Sequence, residues 1–338
     1  MCAGAVSFIL LLTCWPEFSR GLSAGLTNCA ETVIPSLFPF LIAASLTSRG
    51  ELPEKAKKFL TPITQKLFCL PSECLPAIIL GQIGGYLSGA KAADELCRSG
   101  TISKTQAERL LLFGVNSGIG FSVNAVGIIM LGSKKSGIIL FLSLCVSSII
   151  TGFFTRFLPR KESKANKLSD SPSPLSETLV ESVSSSSWAM LAACAFVTVF
   201  SGITSVLDSL IKNENIKLII ACLLEVTNGC ISASKKIALP SLAAVCAFGG
   251  ICVHMQVFAV AKSADIKKSF FYFFRVLHSV LAFIVCRVLL FFFPVEAPVF
   301  LSFSQNVQLW SFSAPASVSL LLLSALLILD LDNNKKVC

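Results

Sequence analysis

In 338 residues, 54% of them hydrophobic and only 14% charged, with 27 Phe, the chain carries more apolar surface than a soluble fold of its length can bury. That excludes a water-soluble domain and makes an all-α integral membrane protein the expected class. The net charge of +9, from 28 Lys+Arg against 19 Asp+Glu, lies mostly between the apolar runs, as in cytoplasmic loops, and no nucleic-acid site is read from it.

The first segment, MCAGAVSFILLLTCWPEFSRG, has an apolar core without Lys or Arg ahead of it and without an obvious small-residue cleavage site. It reads as a short membrane helix within 1–24, not a cleaved signal. Further apolar stretches able to cross ~30 Å of hydrocarbon follow at 25–48, 109–132, 137–158, 188–211, 241–261, 270–293 and 315–331. With the first, at 3–17, they predict about eight crossings. Two others, 73–91 and 216–234, are apolar but interrupted by glycine, asparagine, serine or glutamate.

The polar stretch PRKESKANKLSDSPSPLSETLVESVSSSS, 159–187, divides the protein into a first half, 25–158, and a second, 188–338. Aligning LGQIGGYLSGAK (80–91) with LEVTNGCISASK (224–235) matches Leu, Gly, Ser and Lys at the same offsets. A second pair follows in the same order, LLFGVNSGIGFSVNAV (111–126) and CAFGGICVHMQVFAV (246–260), each carrying Phe-Gly and then small and polar residues. Together these predict an internal repeat.

Charge sets its orientation. If both interrupted segments are re-entrant hairpins and the N-terminus is cytoplasmic, Lys55, Lys57, Lys58, Lys91, Arg98 and the bases from Arg156 to Lys167 share the cytoplasmic side. The other side then receives only Arg20, Lys134, Lys135, Lys212, Lys217, Lys235 and Lys236. Three crossings separate the hairpins, so the repeats are inverted, and inverted repeats with broken helices are the architecture of secondary transporters. Gly81, Gly84, Gly85 and Gly89 would then belong to a backbone that lines a cavity, where free amides and helix ends hold a polar solute. The alternative is a smooth glycine face for close helix packing.

Glu225 is the sharpest residue, because a carboxylate in an apolar run marks an ion path, a proton relay or a partner; otherwise it lies near the membrane surface after Lys217. Asn116, Ser117 and Asn124 either line the cavity or bond neighbouring helices, and His254 holds the matching place in the second half. Arg275, His278 and Arg287 share a helix, with Arg275 expected to snorkel near one end and Arg287 either to meet Glu225 or a solute carboxylate or to snorkel at the other. Fourteen scattered cysteines without a CxxC pair read as small buried hydrophobes, with no metal site. There is no HExxH, GxSxG or P-loop, so no enzyme and no cofactor is expected.

SLFPFLIAASL (36–46), GGYLSGAK (84–91), GTISKTQAERLLLFGVNSGIGF (100–121) and LLEVTNG (223–229) resemble the Gate or nucleoside-recognition membrane proteins. The likeness extends over about 20–295 and is strongest to that family's sporulation members, which export dipicolinic acid from the mother cell toward the forespore. It implies two hairpin-bearing halves distantly similar to concentrative nucleoside transporters, residence in the mother-cell-derived outer forespore membrane, and a small organic anion as cargo. In these proteins the residues matching Glu225 and Asn228 look like solute or coupling-ion contacts; taken with the residues read above, the expected solute contacts are Gly84, Gly85, Ser88, Asn116, Ser117, Asn124, Asn228 and Arg287, with a coupling proton or cation at Glu225 and His254. Leu87 stands where the family has proline, and Gly118-Ile119-Gly120 replaces an Asn-Pro break before Phe121. A non-transporting sporulation scaffold working through 159–187, or a carrier of a nucleoside, are the alternatives.

Overall fold

A computed structural model describes residues 13–49, 54–158 and 175–295, whose regular elements are all helices. Helix α1 (Trp15–Asn28) runs through a wide π-turn (Cys29–Val33) into α2 (Ile34–Arg49). An amphipathic α3 (Glu54–Phe68) precedes a pair of short helices, α4 (Cys74–Gly84) and α5 (Tyr86–Arg98). Next come α6 (Lys104–Phe113), a π-helix (Gly120–Met130) and α7 (Lys134–Thr155). The second half opens with α8 (Leu175–Leu210), followed by the short pair α9 (Glu214–Leu224) and α10 (Val226–Ala233). It continues through α11 (Leu239–Phe248) and α12 (Gly250–Val260) to α13 (Lys268–Phe292).

Among the described residues, five helical stretches are long and apolar enough to cross a membrane: Trp15–Ser48, Lys134–Thr155, Ser176–Leu210, Leu239–Val260 and Lys268–Phe292. Their outward faces carry Leu142, Val146, Leu191, Val199, Phe273 and Val280, as expected of an α-helical integral membrane protein in lipid. Of the expected crossings, 3–17 lies mostly, and 315–331 wholly, outside the described residues.

Three boundaries differ from expectation. The described end of the first expected segment, from Trp15, runs without interruption into the second, because nothing between Arg20 and Thr32 breaks the backbone and a π-turn absorbs the single irregularity. The stretch 175–187 belongs to α8, which buries Ser182 and Ser186 one turn apart; the rest of the polar segment lies outside the described residues. Neither 109–132 nor 241–261 is one continuous α-helix: the first unwinds between Phe113 and Ile119, the second at Gly249.

The halves use the same order of parts: a long leading helix, a short-helix pair, a broken helix and a long closing helix. In the first half α2 packs on α4 and α5, and α7 on the π-helix; in the second α8 packs on α9 and α12, and α13 on α11. The halves also interlock. Helix α5 rests on α12, α10 rests on the π-helix, and the closing helices α7 and α13 pack together.

Candidate functional site

The first break lies between α4 and α5. Gly85 has φ 101°, a left-handed conformation that glycine adopts freely and an L side chain rarely does. The two short helices then fold back on each other so tightly that a Cβ at Gly81 or Gly89 would run into the Gly114 carbonyl oxygen at the end of α6. The glycines pack closely, and that packing is what brings the unwound stretch 114–118 against the turn. Where that stretch crosses it, a Cβ on Gly118 would lie 2.7 Å from both Gly85 N and Ile83 O.

Unwound backbone in a low-dielectric interior needs partners for every polar group. Asn116 Nδ2 donates to Gln82 Oε1 at 2.5 Å, Gln82 Nε2 to Ser148 Oγ at 2.7 Å, and Ser148 Oγ to the Phe113 carbonyl at 2.6 Å. Asn116 Oδ1 accepts from Ser117 N at 2.8 Å, and the Ser117 and Ser122 hydroxyls lie 3.0 Å apart. Ser88 Oγ donates to Gly84 O at 3.1 Å. From the other half, Arg275 Nη1 donates to Val115 O at 2.5 Å and Nη2 to Leu112 O at 2.7 Å. Arg275 is fully buried, its Nε has no partner, and no carboxylate among the described residues pairs with it.

The second break lies between α9 and α10, at Glu225, whose backbone is extended. Its side chain caps α10: Oε1 accepts from Thr227 N at 2.9 Å and Oε2 from Asn228 N at 2.8 Å. A carboxylate at a helix N-terminus answers both the free amides and the positive end of the helix dipole. Glu225 is 1% exposed and makes no ion pair among the described residues. Asn228 turns back to α8, its Nδ2 donating to Ser201 Oγ at 3.0 Å. The broken helix of this half again abuts the turn, a Cβ at Gly250 falling 3.0 Å from Leu224 O.

At the end of α11, His254 Nε2 lies 2.8 Å from Phe248 O, its ring held edge-on among Phe248, Phe271 and Tyr272. The Cys246 carbonyl accepts from the Tyr86 hydroxyl of the first half. Each broken helix is thus held partly by the opposite half, α6 by Arg275 and α11 by Tyr86.

Of the residues singled out in the sequence, Gly84, Gly85, Ser88, Asn116 and Ser117 gather at the first break, and Glu225, Asn228 and His254 at the second. Asn124 is exposed on the π-helix and Arg287 is exposed on α13, so neither is brought to a break. Arg275 does not snorkel; it is buried at the centre. Its signal was His278 three residues on, since a second polar residue on the same helical face in a run of aromatics points inward; His278 Nε2 sits 3.3 Å from Leu144 O. Gln82, Tyr86 and Ser148 had no such mark.

Beyond the apolar part of the first pair, Glu95 is buried and receives Lys91 Nζ at 2.9 Å, Arg98 Nη2 at 2.6 Å and Ser45 Oγ at 3.3 Å. Burial pushes its carboxyl up, but the Lys91 and Arg98 contacts outweigh that and hold it below the ordinary carboxylate value. Asp94 Oδ1 accepts from Ser263 N at 2.7 Å and Glu108 Oε1 from Lys267 N at 2.9 Å, tying the first half to the loop before α13.

Over 327 aligned residues the chain is 26% identical to the Sporulation integral membrane protein YlbJ of Bacillus subtilis (strain 168), an alignment that takes in 82% of this chain and 79% of that one. No protein-family model and no solved structure matches the chain.

Proposed function

We propose that this integral membrane protein is a secondary carrier of a small organic anion that works in sporulation, with dipicolinate as its cargo out of the mother cell across the outer forespore membrane. The observation that carries the reading is the pair of helix breaks, one in each half, each crossed by the unwound stretch of a broken helix. Backbone interrupted in this way is the usual material of a solute site between repeats that move against one another. The charges at the two breaks support an anionic cargo coupled to a cation. Arg275 offers a buried guanidinium whose Nε–H has no partner, and Glu225 a buried carboxylate without an ionic partner among the described residues. Arg275 replaces Arg287 as the residue to meet a solute carboxylate, and Glu225 is the place for a coupling proton or cation. The likeness to a sporulation membrane protein supports the setting.

The test is uptake of labelled dipicolinate into proteoliposomes, with and without an imposed proton gradient, against uridine. Dipicolinate uptake that responds to the gradient and falls to background in Glu225→Gln is the expected result. Uridine uptake in its place would move the cargo to nucleosides, and uptake of neither would remove the carrier reading.

A further inference from the structure

The carbonyl end of a half-helix is a cation site. It carries about half a negative charge from the aligned peptide dipoles, and its last carbonyls have no partner within the helix. In carriers with discontinuous helices such ends, with the unwound carbonyls beyond them, are where a coupling sodium ion is held. The end of α6 has that form: Leu112 lies in its last turn, Val115 belongs to the unwound stretch, and the turn between α4 and α5 crosses just beyond. A sodium ion would need several of these oxygens at once in place of its water. Here Leu112 O and Val115 O both accept from the guanidinium of Arg275, at 2.7 and 2.5 Å, and Phe113 O accepts from Ser148.

We infer that Arg275 is a tethered cation standing where a free metal ion would otherwise be bound, so that the first half needs no sodium. A guanidinium fits the role because it is planar, permanently charged, and presents two parallel N–H groups to two carbonyls. Its position 163 residues from Leu112 in sequence, on the closing helix of the other half, means that the cation is part of the chain and is not released. The matching end of α11 shows the contrast, since its carbonyls at Cys246 and Phe248 are taken by the Tyr86 hydroxyl and the His254 ring. The inference takes its significance from the carrier reading, but its test reads stability and does not depend on transport.

The full-length protein in detergent would be melted in sodium chloride, choline chloride and guanidinium chloride, the last kept to tens of millimolar, for the wild type, Arg275→Ala and Glu225→Gln. The wild type should melt at the same temperature in sodium and choline. Arg275→Ala should melt roughly 5–10 °C lower in choline, with at least half of that loss restored, saturably, by guanidinium, which should not raise the wild-type midpoint. Sodium stabilisation that saturates and persists in Glu225→Gln would show a free metal site elsewhere than Glu225 and overturn the inference. So would an Arg275→Ala protein as stable as wild type and indifferent to guanidinium. Should Arg275→Ala not fold, the sodium-against-choline comparison in the wild type and Glu225→Gln decides alone. Guanidinium rescue without any solute uptake would leave the tethered cation standing and remove only the carrier reading.

Discussion

The two helix breaks solve one problem with opposite chemistry. At the first, the chain turns on Gly85, and the carbonyls left over at the end of α6 are met by a positive side chain from far away, Arg275. At the second, the chain turns at Glu225, and the amides left over at the start of α10 are met by that residue's own negative side chain. One break exposes acceptors and receives a donor; the other exposes donors and supplies an acceptor. The lesson is that the sign of the helix end decides what must answer it: the end of α6, in the broken helix of the first half, needs a donor, and the start of α10, in the short pair of the second, needs an acceptor.

The comparison breaks most completely where backbone meets backbone. Gly89→Val puts a branched side chain onto the Gly114 carbonyl, and Gly81→Val does the same. A loss of more than about 4 kcal/mol is expected, because neither partner is a flexible side chain. Detergent-extracted protein should then lack a monodisperse peak in size-exclusion chromatography, whereas Ser232→Val, at an exposed position on α10 beyond the second break, should retain one.

Arg275→Met is next in size. It leaves the Leu112 and Val115 carbonyls buried without donors, at a cost of about 2–4 kcal/mol, read as a lowered midpoint of thermal unfolding. Glu225→Ala should cost less, about 1–2 kcal/mol, because only a cap is lost, and Glu225→Asp should recover part of it. If Glu225→Ala were the more damaging of the two in stability, the balance between the breaks drawn above would be reversed.

Acid provides a gentler probe of the first half alone. Glu95 is held below the ordinary carboxylate value near 4.5, so folding favours its ionised form. Its contribution is therefore fully present above that value and is lost as pH falls through the lower, folded one. Glu95→Gln should lower stability at pH 7.5, where the ionised carboxyl's contribution is fully present, and flatten the decline in stability below about pH 5. The smallest effects belong to the polar residues outside both breaks: Asn124→Ala and Arg287→Gln should each stay within about 0.5 kcal/mol of wild type.

What was legible in the sequence were the places where the backbone conflicts with a membrane. Glycine clustered in 79–89, a carboxylate in an apolar run at 225 and two Phe-Gly pairs are local signals, and breaks lie at Gly85, Glu225, Gly114 and Gly249. The register between the halves was less visible. The twelve-residue alignment pairs Gly85 with Gly229, whereas the second break falls at Glu225, one helical turn earlier. A carboxylate can cap the next helix itself, so the chain need not wait for a glycine to turn. Hidden altogether was what comes from a distance, because the partners of Leu112 and Val115 lie in α13 and no spacing rule links them. The serine-rich start of α8 misled for another reason: Ser182 and Ser186 face inward, where composition alone reads a linker.

The dependence of α6 on Arg275 also fixes an order of events in biosynthesis. When the carbonyls of Leu112 and Val115 leave the ribosome, the residue that will satisfy them is still 163 and 160 positions from being made. At 5–20 residues per second that interval is roughly 10–30 s. For that time the first half sits in the insertion machinery or the bilayer with an open helix end, borrowing water or lipid headgroups. The arrival of α13 is then the step that dries and closes the molecule, so a chain truncated before Arg275 should be a substrate for membrane proteolysis however complete its first half may be.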